Sequence, residues 1–288
     1  MKKFLYYILI TLIALGAFLT VFGDDPDLSA ASSEETLVIA HRGGKGLWPE
    51  NTLYAFHRAV ELGVDVLEMD IRSTSDGVIV VIHDEDLSRT TNGAGPVNEI
   101  NLSELKTLDA GHNWTSDKGQ THPYRGQGVT VPTLSEVFEA FPNEPLNIEI
   151  KQVTPDIVQP VADLIRKHNG AGRVTVASFD ADTLKRFRKS FPEVSTSATA
   201  TEVTISYVLT QLRLGSFYVP SANLLQIPEY AGKRQIASPR FVRTTQMNGL
   251  EIHVWTINKP EAMERLLSIG VDGIMTDYPD RLLALLRR

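Results

Sequence analysis

The chain has 288 residues, of which 42% are hydrophobic and 22% are charged, an ordinary composition for a globular protein with a full apolar core. Its formal net charge of −7 does not indicate a surface that binds nucleic acid or an anionic membrane. The absence of cysteine excludes disulfides, thiolate metal sites and a cysteine nucleophile, and it is compatible with an oxidising compartment.

The first predicted element is an N-terminal hydrophobic helix. Residues 4–22 carry no charge and are just long enough to span a bilayer. Two lysines precede them and the acidic run DDPD at residues 24–27 follows, which favours a cytoplasmic N-terminus and a catalytic domain on the periplasmic or extracellular side. We expect residues 1–23 to be a membrane anchor, since the candidate cleavage sites after Gly23 and Ala31 are poor or distant. Secretion after signal cleavage is the alternative.

Residues 24–35 are acidic, small and polar, so they are predicted to link the anchor to a domain over residues 36–288. In that domain short β-rich segments alternate with helical segments, which is typical of a parallel sheet covered by helices. The predicted strands lie at 37–43, 66–71, 78–84, 146–151, 173–179, 195–200, 253–258 and 272–277. The predicted helices lie at 51–62, 155–169, 181–190, 202–214 and 260–269, with a short one near 103–108.

Polar or aromatic side chains lie near the C-terminal ends of many of these strands. They are His41, Glu68, His83, Glu149, Ser178, Trp255 and Asp277. A doubly wound sheet and a closed eight-stranded barrel both satisfy the alternation, but barrels build their sites by convergence from around a ring. Residues 41–46 also lack the G-x-G-x-x-G spacing of a dinucleotide-binding loop. The sequence therefore predicts an α/β fold of the (β/α)8 TIM-barrel type.

Three segments interrupt the repeat. The strands at 66–71 and 78–84 are too close for a helix between them, and Asp76-Gly77 is a turn signal. Residues 87–131 are polar and glycine-rich and are predicted to be an insertion at the C-terminal end of a strand. The segment FYVP at 217–220 is a ninth strand candidate, so one candidate lies outside the barrel, and the pattern does not identify which.

Acidic side chains on two apolar strands are the first candidates for a site. Glu68 and Asp70 share one face of a strand, with Cα atoms about 6.6 Å apart at a rise of roughly 3.3 Å per residue. Glu149 and Lys151 repeat the arrangement on a second strand. A hard cation such as Mg²⁺ or Ca²⁺ would remove the repulsion between the carboxylates. The alternative is a pair of solvated strand faces with acids in water and an ordinary salt bridge.

Two histidines end predicted strands in equivalent positions, His41 and His83. Because an imidazole titrates near neutral pH, such a pair can supply a nucleophile or base and a general acid. The guanidinium of Arg42 has the planar shape that suits phosphate oxygens. These groups together favour attack on a phosphodiester. The alternative for either histidine is a hydrogen-bonded structural role, which we assign to the other five: His57, His112, His122, His168 and His253.

Eight motifs then match one known family in order and spacing. They are HRG at 41–43, PENT at 49–52, E-x-D at 68–70, DG at 76–77, HDEDLSRTTNG at 83–93, IEIK at 148–151, VWTIN at 254–258 and DGIMTDYP at 272–279. In these motifs the chain resembles the glycerophosphodiester phosphodiesterases from about residue 37 to residue 285. Each motif alone is weak, but the eight in register are specific.

The resemblance implies a (β/α)8 barrel with a small subdomain inserted after the third strand, here at residues 87–131. It also implies metal-dependent hydrolysis of a glycerophosphodiester to glycerol 3-phosphate and an alcohol. Carried over residue by residue, it makes Glu68, Asp70 and Glu149 the ligands of one divalent cation, Mg²⁺ or Ca²⁺.

The same resemblance implies that His41 and His83 are the general base or nucleophile and the general acid. Substrate contacts are implied for Arg42, Glu50, Lys151 and Trp255. Arg42 and Lys151 would contact the phosphate, Trp255 would form a wall of the pocket, and Glu50 would lie next to the metal or the glycerol hydroxyls. As alternatives, Trp255 is a core side chain and Asn51 in the PENT motif is a helix N-cap.

Three further segments are similar to the membrane-anchored branch of the family, which acts on lysophospholipids as a phospholipase D. They are GGKGLWPEN, VPTLSEVFEAFPNEPLNIEIK and LLQIPEYAG. An apolar segment at 217–237 near the pocket mouth would suit an acyl chain, and it would equally suit packed core. Two other functions remain open: a phospholipase that forms a cyclic phosphate, and a non-catalytic lipid-binding barrel.

Overall fold

The computed structural model describes residues 36–288, so the predicted anchor and linker lie outside the described residues. Within that part of the chain, no helix has the length and apolar character needed to cross a membrane. The strands, in chain order, are β1 (Leu37–Ala40), β2 (Val66–Ser73), β3 (Ile79–Val81), β4 (Leu146–Ile150), β5 (Val174–Ala177), β6 (Ser195–Thr196), β7 (Leu224–Pro228), β8 (Tyr230–Ala231), β9 (Arg234–Gln235), β10 (Glu251–Trp255) and β11 (Gly273–Thr276). The helices are α1 (Leu53–Leu62), α2 (Leu102–Leu105), α3 (Leu134–Ala140), α4 (Val158–Lys167), α5 (Ala181–Ser190), α6 (Ala200–Gln211), α7 (Pro239–Met247), α8 (Pro260–Ser268) and α9 (Pro279–Leu286).

Eight parallel strands form a nearly closed barrel with helices outside it. The order of the strands is β6-β5-β4-β2-β1-β11-β10-β7, and every pair along this path is parallel. A single bridge between Ser197 and Leu224 joins the two ends of the path. The N–H of Ala198 supports it by donating to the carbonyl of Leu224 at 2.8 Å. The predicted α/β class is thus confirmed, and the arrangement is consistent with a (β/α)8 barrel.

Among the strands predicted from the sequence, β3 lies outside the parallel barrel. It pairs with β2 in antiparallel register, with Val81 opposite Ile71, as the predicted turn at Asp76-Gly77 requires. The expectation of a strand at 217–220 was wrong. Phe217 ends a 3-10 turn and Val219 is 86% exposed, so neither packs in a sheet. The barrel strand of this region is β7, which pairs with β10 in parallel register.

Several helix starts differ from the predicted ones because a side chain caps each helix at another residue. Thr52 caps α1 by accepting from the N–H of Ala55 at 3.1 Å, so the helix begins at Leu53 and not at Asn51. The capping box of Thr199 and Glu202 likewise starts α6 at Ala200. Helices α3, α7 and α9 were not among the predicted elements.

The apolar side chains form three clusters that fix the barrel and the segment after β3. Two of them pack the helices on the outside of the barrel, around Phe56 and Phe138 in one cluster and around Phe241 and Ile252 in the other. The third cluster lies under the segment predicted as an insertion. It consists of Val80, Ile82, Leu87, Val97, Leu105, Ala110, Val129 and Val131. Residues 87–131 therefore carry apolar packing of their own, anchored on the strand β3 and the residue that follows it.

Candidate active site

Three carboxylates converge inside the barrel, as the alternation along two strands predicts. In the register of β2 with β4, Asp70 lies opposite Glu149 and Glu68 lies opposite Asn147. One oxygen each from Glu68, Asp70 and Glu149 lies within 4.8 Å of the others. Glu68 and Asp70 are buried, whereas Glu149 is partly exposed to the cavity. We call these three residues the carboxylate cluster.

Two cationic side chains compensate the carboxylate cluster. The ammonium Nζ of Lys151 lies 2.7 Å from Glu149 Oε1 and 3.2 Å from Asp70 Oδ1. The Nε of Arg42 lies 3.1 Å from Asp70 Oδ2. The backbone N–H of Arg42 also donates to Glu68 Oε2 at 2.7 Å. These ion pairs and the backbone hydrogen bond offset part of the free-energy cost of burying the carboxylates away from water.

The pKa values of the cluster show that its negative charge is only partly balanced. Burial, followed by repulsion from Asp70 and Glu149, raises the pKa of Glu68 well above its ordinary value. Burial also raises the pKa of Glu149, although Lys151 opposes the shift. For Asp70 burial acts in the same direction, but Arg42 and Lys151 outweigh it and lower the pKa. A cluster of hard oxygen ligands with unrelieved repulsion could hold a metal ion.

Asn51 belongs to the site, although from the sequence it was interpreted as a helix N-cap. Its Nδ2 donates to Asp70 Oδ2 at 3.0 Å, and its Oδ1 accepts from the backbone N–H of Asp70 at 3.2 Å. Its backbone is left-handed, with φ of 56°, a conformation that asparagine tolerates better than most residues. The side chain therefore orients one member of the carboxylate cluster and does not cap α1, which is the role of Thr52.

His41 is held by a carboxylate from the last barrel strand. Its Nδ1 lies 2.6 Å from Asp277 Oδ1, and the other oxygen of Asp277 accepts from Asn258 Nδ2 at 2.7 Å. With Nδ1 bound in this way, Nε2 faces the cluster, 4.0 Å from Glu68 Oε2. Burial lowers the pKa of His41, and the bond to Asp277 opposes the shift. Asp277 and Asn258 were not assigned a role from the sequence.

His83 has the same arrangement with its chain neighbour. Its Nδ1 lies 2.6 Å from Asp84 Oδ1, and Asp84 in turn pairs with Arg89. Burial lowers the pKa of His83, with Asp70 and Asp84 opposing. Arg89 comes from a short 3-10 turn in the segment after β3, so that segment supports the imidazole.

Glu50 lies behind Arg42, outside the carboxylate cluster. It accepts from Arg42 at 2.8 Å and from two nitrogens of Arg89, each at 2.8 Å. Burial would raise its pKa, but the hydrogen bonds from Arg89 and the charge of Arg42 lower the pKa of Glu50 to about 2. Glu50 is therefore an anion that fixes two guanidinium groups.

The predicted site residues border one cavity of about 1260 Å³ at the carboxyl ends of the strands. Seven of the nine line it: His41, Arg42, Glu68, His83, Glu149, Lys151 and Trp255. Asp70 and Glu50 support these residues from behind. Phe179, which was not predicted, lies edge-to-face with Trp255 at a centroid distance of 5.8 Å and has Lys151 Nζ 5.4 Å from its ring. Trp255 is thus part of the cavity wall and not only of the core.

The cavity extends well beyond the carboxylate cluster. Its far walls are α6 and the hairpin of β8 and β9, which contribute Val203, Tyr207, Val208, Ala231 and Ile236. The side chains from α6 are mostly apolar, whereas the hairpin also contributes the cationic Lys233 and Arg234. Five histidines that were predicted to be structural do not line this cavity in the described part of the chain. They are His57, His112, His122, His168 and His253. His253 lies in the middle of β10 and not at its start, with Nε2 3.2 Å from Glu251 Oε2.

The fold and this constellation define an enzyme built on an α/β barrel, because its acid–base and charged groups meet at the carboxyl ends of barrel strands. A family model described as the glycerophosphoryl diester phosphodiesterase family matches residues 41–281. The chain belongs to this family, so the resemblance and the enzyme class predicted from the sequence, a phosphoric diester hydrolase, are confirmed.

Three relatives illustrate the similarity. A glycerophosphodiester phosphodiesterase of Caldanaerobacter subterraneus subsp. tengcongensis is 36% identical, over 88% of this chain and 99% of that protein. The human lysophospholipase D GDPD1 is 28% identical, over 85% of this chain and 84% of that protein. The structure of a phosphodiesterase from Oleispira antarctica in complex with the product sn-glycerol-3-phosphate matches with a TM-score of 0.70 and 27% identity, over 87% of this chain and 96% of that one.

Proposed function

We propose that the protein hydrolyses glycerophosphodiesters to glycerol 3-phosphate and an alcohol, with one divalent cation, Mg²⁺ or Ca²⁺, held by Glu68, Asp70 and Glu149. The observation that carries the proposal is the convergence of the carboxylate cluster with His41 and His83 on one cavity in a member of this family. The product in the Oleispira antarctica structure supports the choice of substrate.

The cation fits the donor set. The cluster offers three carboxylates. Burial, and then repulsion from Asp70 and Glu149, raises the pKa of Glu68, and a bound cation would relieve this repulsion. When bound, it would supply positive charge to the phosphoryl oxygens. Lys151 and Arg42 would add charge on the same side, since both line the cavity beside the cluster.

The two histidines would move the protons. Each has Nδ1 fixed by a carboxylate, so each presents Nε2 as the atom that accepts or donates a proton at the substrate. We propose His41 as the base or nucleophile and His83 as the acid that protonates the leaving alcohol. Trp255 and Phe179 would enclose the organic part of the substrate.

Lysophospholipids are a second candidate substrate class. The cavity volume of about 1260 Å³ exceeds what a small glycerophosphodiester needs, and the side chains that α6 contributes to its wall are mostly apolar. The human relative named as a lysophospholipase D supports the same proposal. We also propose that residues 1–23 anchor the protein with the barrel outside the cytoplasm, which would place it near such substrates.

The test uses the purified full chain with glycerophosphocholine, glycerophosphoglycerol and lysophosphatidylcholine, and identifies products by mass spectrometry and ³¹P NMR. We expect glycerol 3-phosphate from the first two, loss of turnover in EDTA, and recovery with excess Mg²⁺ or Ca²⁺. Glu68→Gln, which keeps the shape of the side chain, should stay inactive after cation is added. Full turnover in EDTA would overturn the metal assignment, and a cyclic phosphate as final product would overturn hydrolysis.

A further inference from the structure

Helix α6 exposes several apolar side chains although the residues it buries most completely are polar. Its most buried residues are Ser206 and Thr210, which are 1% and 2% exposed. In contrast, Ile205, Val208 and Leu212 are 49%, 47% and 50% exposed. A helix on the surface of a soluble protein buries its apolar stripe and exposes its polar one. The exposed side of α6 and the turn after it therefore require an explanation.

Packing explains why the two most buried residues of α6, Ser206 and Thr210, are small and polar. The hydroxyl of Thr210 donates to the carbonyl of Ser206 at 2.9 Å and so needs no other partner. Gly215 then packs against this side, where an added side chain would collide with Thr244 of α7. The close approach needs small inward residues, but it places no requirement on the outward ones.

Five exposed apolar residues lie on α6 and in the segment that follows it. Ile205, Val208 and Leu212 are three and four residues apart, so they lie on one stripe of the helix. Phe217 and Val219, which are 74% and 86% exposed, follow in the next segment of the chain. We call these five residues the α6 stripe. No charged residue occurs between Glu202 and Arg213, or between Arg213 and Glu229.

The α6 stripe joins the wall of the active-site cavity. Val203 and Tyr207 line the cavity from the same helix, and Val208 is at once exposed and part of the lining. A molecule that sits on the stripe therefore contacts the cavity wall at Val208, and the hairpin adds Lys233 and Arg234 to that wall. Large exposed apolar patches mark surfaces that bind a protein or a membrane.

We propose that the α6 stripe docks on the surface of a phospholipid bilayer. A helix with an exposed apolar face and no basic residues would insert by its apolar side chains and would not need anionic lipid. The sequence favours a bilayer over a second protein. The uncharged residues 4–22 end thirteen residues before Thr36, and a linker of that length reaches at most about 45 Å. The barrel would stay within reach of any membrane that residues 4–22 enter.

The chain contains no cysteine, so single cysteines can report contact with lipid. Ile205→Cys and Leu212→Cys carry a nitrobenzoxadiazole label on the stripe. Leu62→Cys is the matched control, because Leu62 is an apolar residue 38% exposed on α1, between β1 and β2 and across the barrel from α6. Each full-length variant is reconstituted with phosphatidylcholine vesicles that contain nitroxide-labelled lipid.

We expect the nitroxide to quench the labels at Ile205 and Leu212 at least threefold more than the label at Leu62. An anchor alone would give the labels on α6 no advantage over the label at Leu62, because the linker enters the barrel at β1, beside α1. The difference therefore reports the orientation of the barrel. Equal quenching would overturn the proposal. Rapid disulfide cross-linking of unlabelled Leu212→Cys in the vesicles would overturn it in favour of a second copy of the chain. Because quenching needs no turnover, the result is independent of the phosphodiesterase proposal.

Discussion

Asp277 Oδ1 lies 2.6 Å from Nδ1 of His41, although the two residues are 236 positions apart in the chain. The contact depends on the barrel, because β1 and β11 are neighbours and Ala40 lies opposite Thr276 at their ends. The next residue on each strand is then His41 and Asp277. The pair of His83 and Asp84 has the same distance of 2.6 Å, so both imidazoles are oriented by a carboxylate.

Asp277→Asn should lower kcat by about 100-fold or more and change KM little, because the amide no longer holds the imidazole in one tautomer and orientation. The carboxylate also opposes the effect of burial on the pKa of His41, so its loss should lower that pKa further. If His41 acts as the base, the acidic limb of the rate profile moves to lower pH. The measurement is kcat and KM for glycerophosphocholine across pH.

Asp280→Asn is the matched control for this variant. Asp280 is exposed in the first turn of α9, three residues from Asp277, and its loss should leave both the rate and the pH profile unchanged. An unaltered pH profile in Asp277→Asn would remove Asp277 as a positioning residue for His41.

Arg89→Ala should lower kcat by roughly 10-fold, in line with the loss of a residue that supports a site from behind. Arg89 donates to both oxygens of Glu50 and also pairs with Asp84. Burial would raise the pKa of Asp84, but hydrogen bonds from Arg89 and His83 lower this pKa to about 2. Asp84 therefore stays ionised beside the imidazole. Steady-state kinetics of the variant and of Arg58→Ala, which removes an exposed pair with Glu61, provide the comparison. Equal rates in the two variants would show that Arg89 does not position His83.

Asn51→Ala should weaken cation binding and lower the free energy of unfolding by about 1–3 kcal/mol. The first effect follows from the loss of both hydrogen bonds to Asp70, and the second from those bonds together with the left-handed backbone, which alanine disfavours. Titration calorimetry with Mg²⁺ and Ca²⁺ and urea unfolding measure the two quantities.

Asn51→Gly separates the two causes, since glycine accepts the left-handed backbone but cannot hold Asp70. It should bind the cation as weakly as Asn51→Ala does while losing less stability. Wild-type cation affinity in the glycine variant would show that Asp70 needs no such orientation.

The sequence predicted the parts of the site that depend on local alternation. Glu68 and Asp70 could be placed together because side chains two residues apart on a strand share a face. The resemblance added Glu149 to them, and in the register of β2 with β4 Glu149 lies opposite Asp70. His41, Glu149 and Trp255 could be placed at the same opening because parallel strands end at one edge of a barrel.

The residues that were missed depend on contacts that no local pattern encodes. Asp277 ends a predicted strand, but its partner is known only once the barrel joins the last strand to the first. Asn51 was interpreted as a helix cap because the sequence does not reveal its left-handed backbone. In the structure this conformation places Thr52 at the cap position instead. The strand β7 was missed because its apolar residues follow another apolar segment without a change of period, and only the pairing with β10 distinguishes them.

The start of α6 should respond to acid through Glu202. Burial would raise the pKa of Glu202, but hydrogen bonds from Arg188 and Ser221 and from the backbone N–H of Thr199 lower it from 4.5 to about 2. A carboxyl group with a lower pKa in the folded state stabilises the protein above its unfolded pKa and loses this effect as pH falls toward the folded value. Glu202→Gln should therefore lower the free energy of unfolding by about 1–3 kcal/mol near neutral pH. In urea unfolding at a series of pH values, the gap between wild type and variant should shrink as pH falls from 4.5 toward about 2. Glu261→Gln, in the first turn of α8, should show no such gap, and a gap for Glu202→Gln that stays constant over that range would contradict the ion pair as its source.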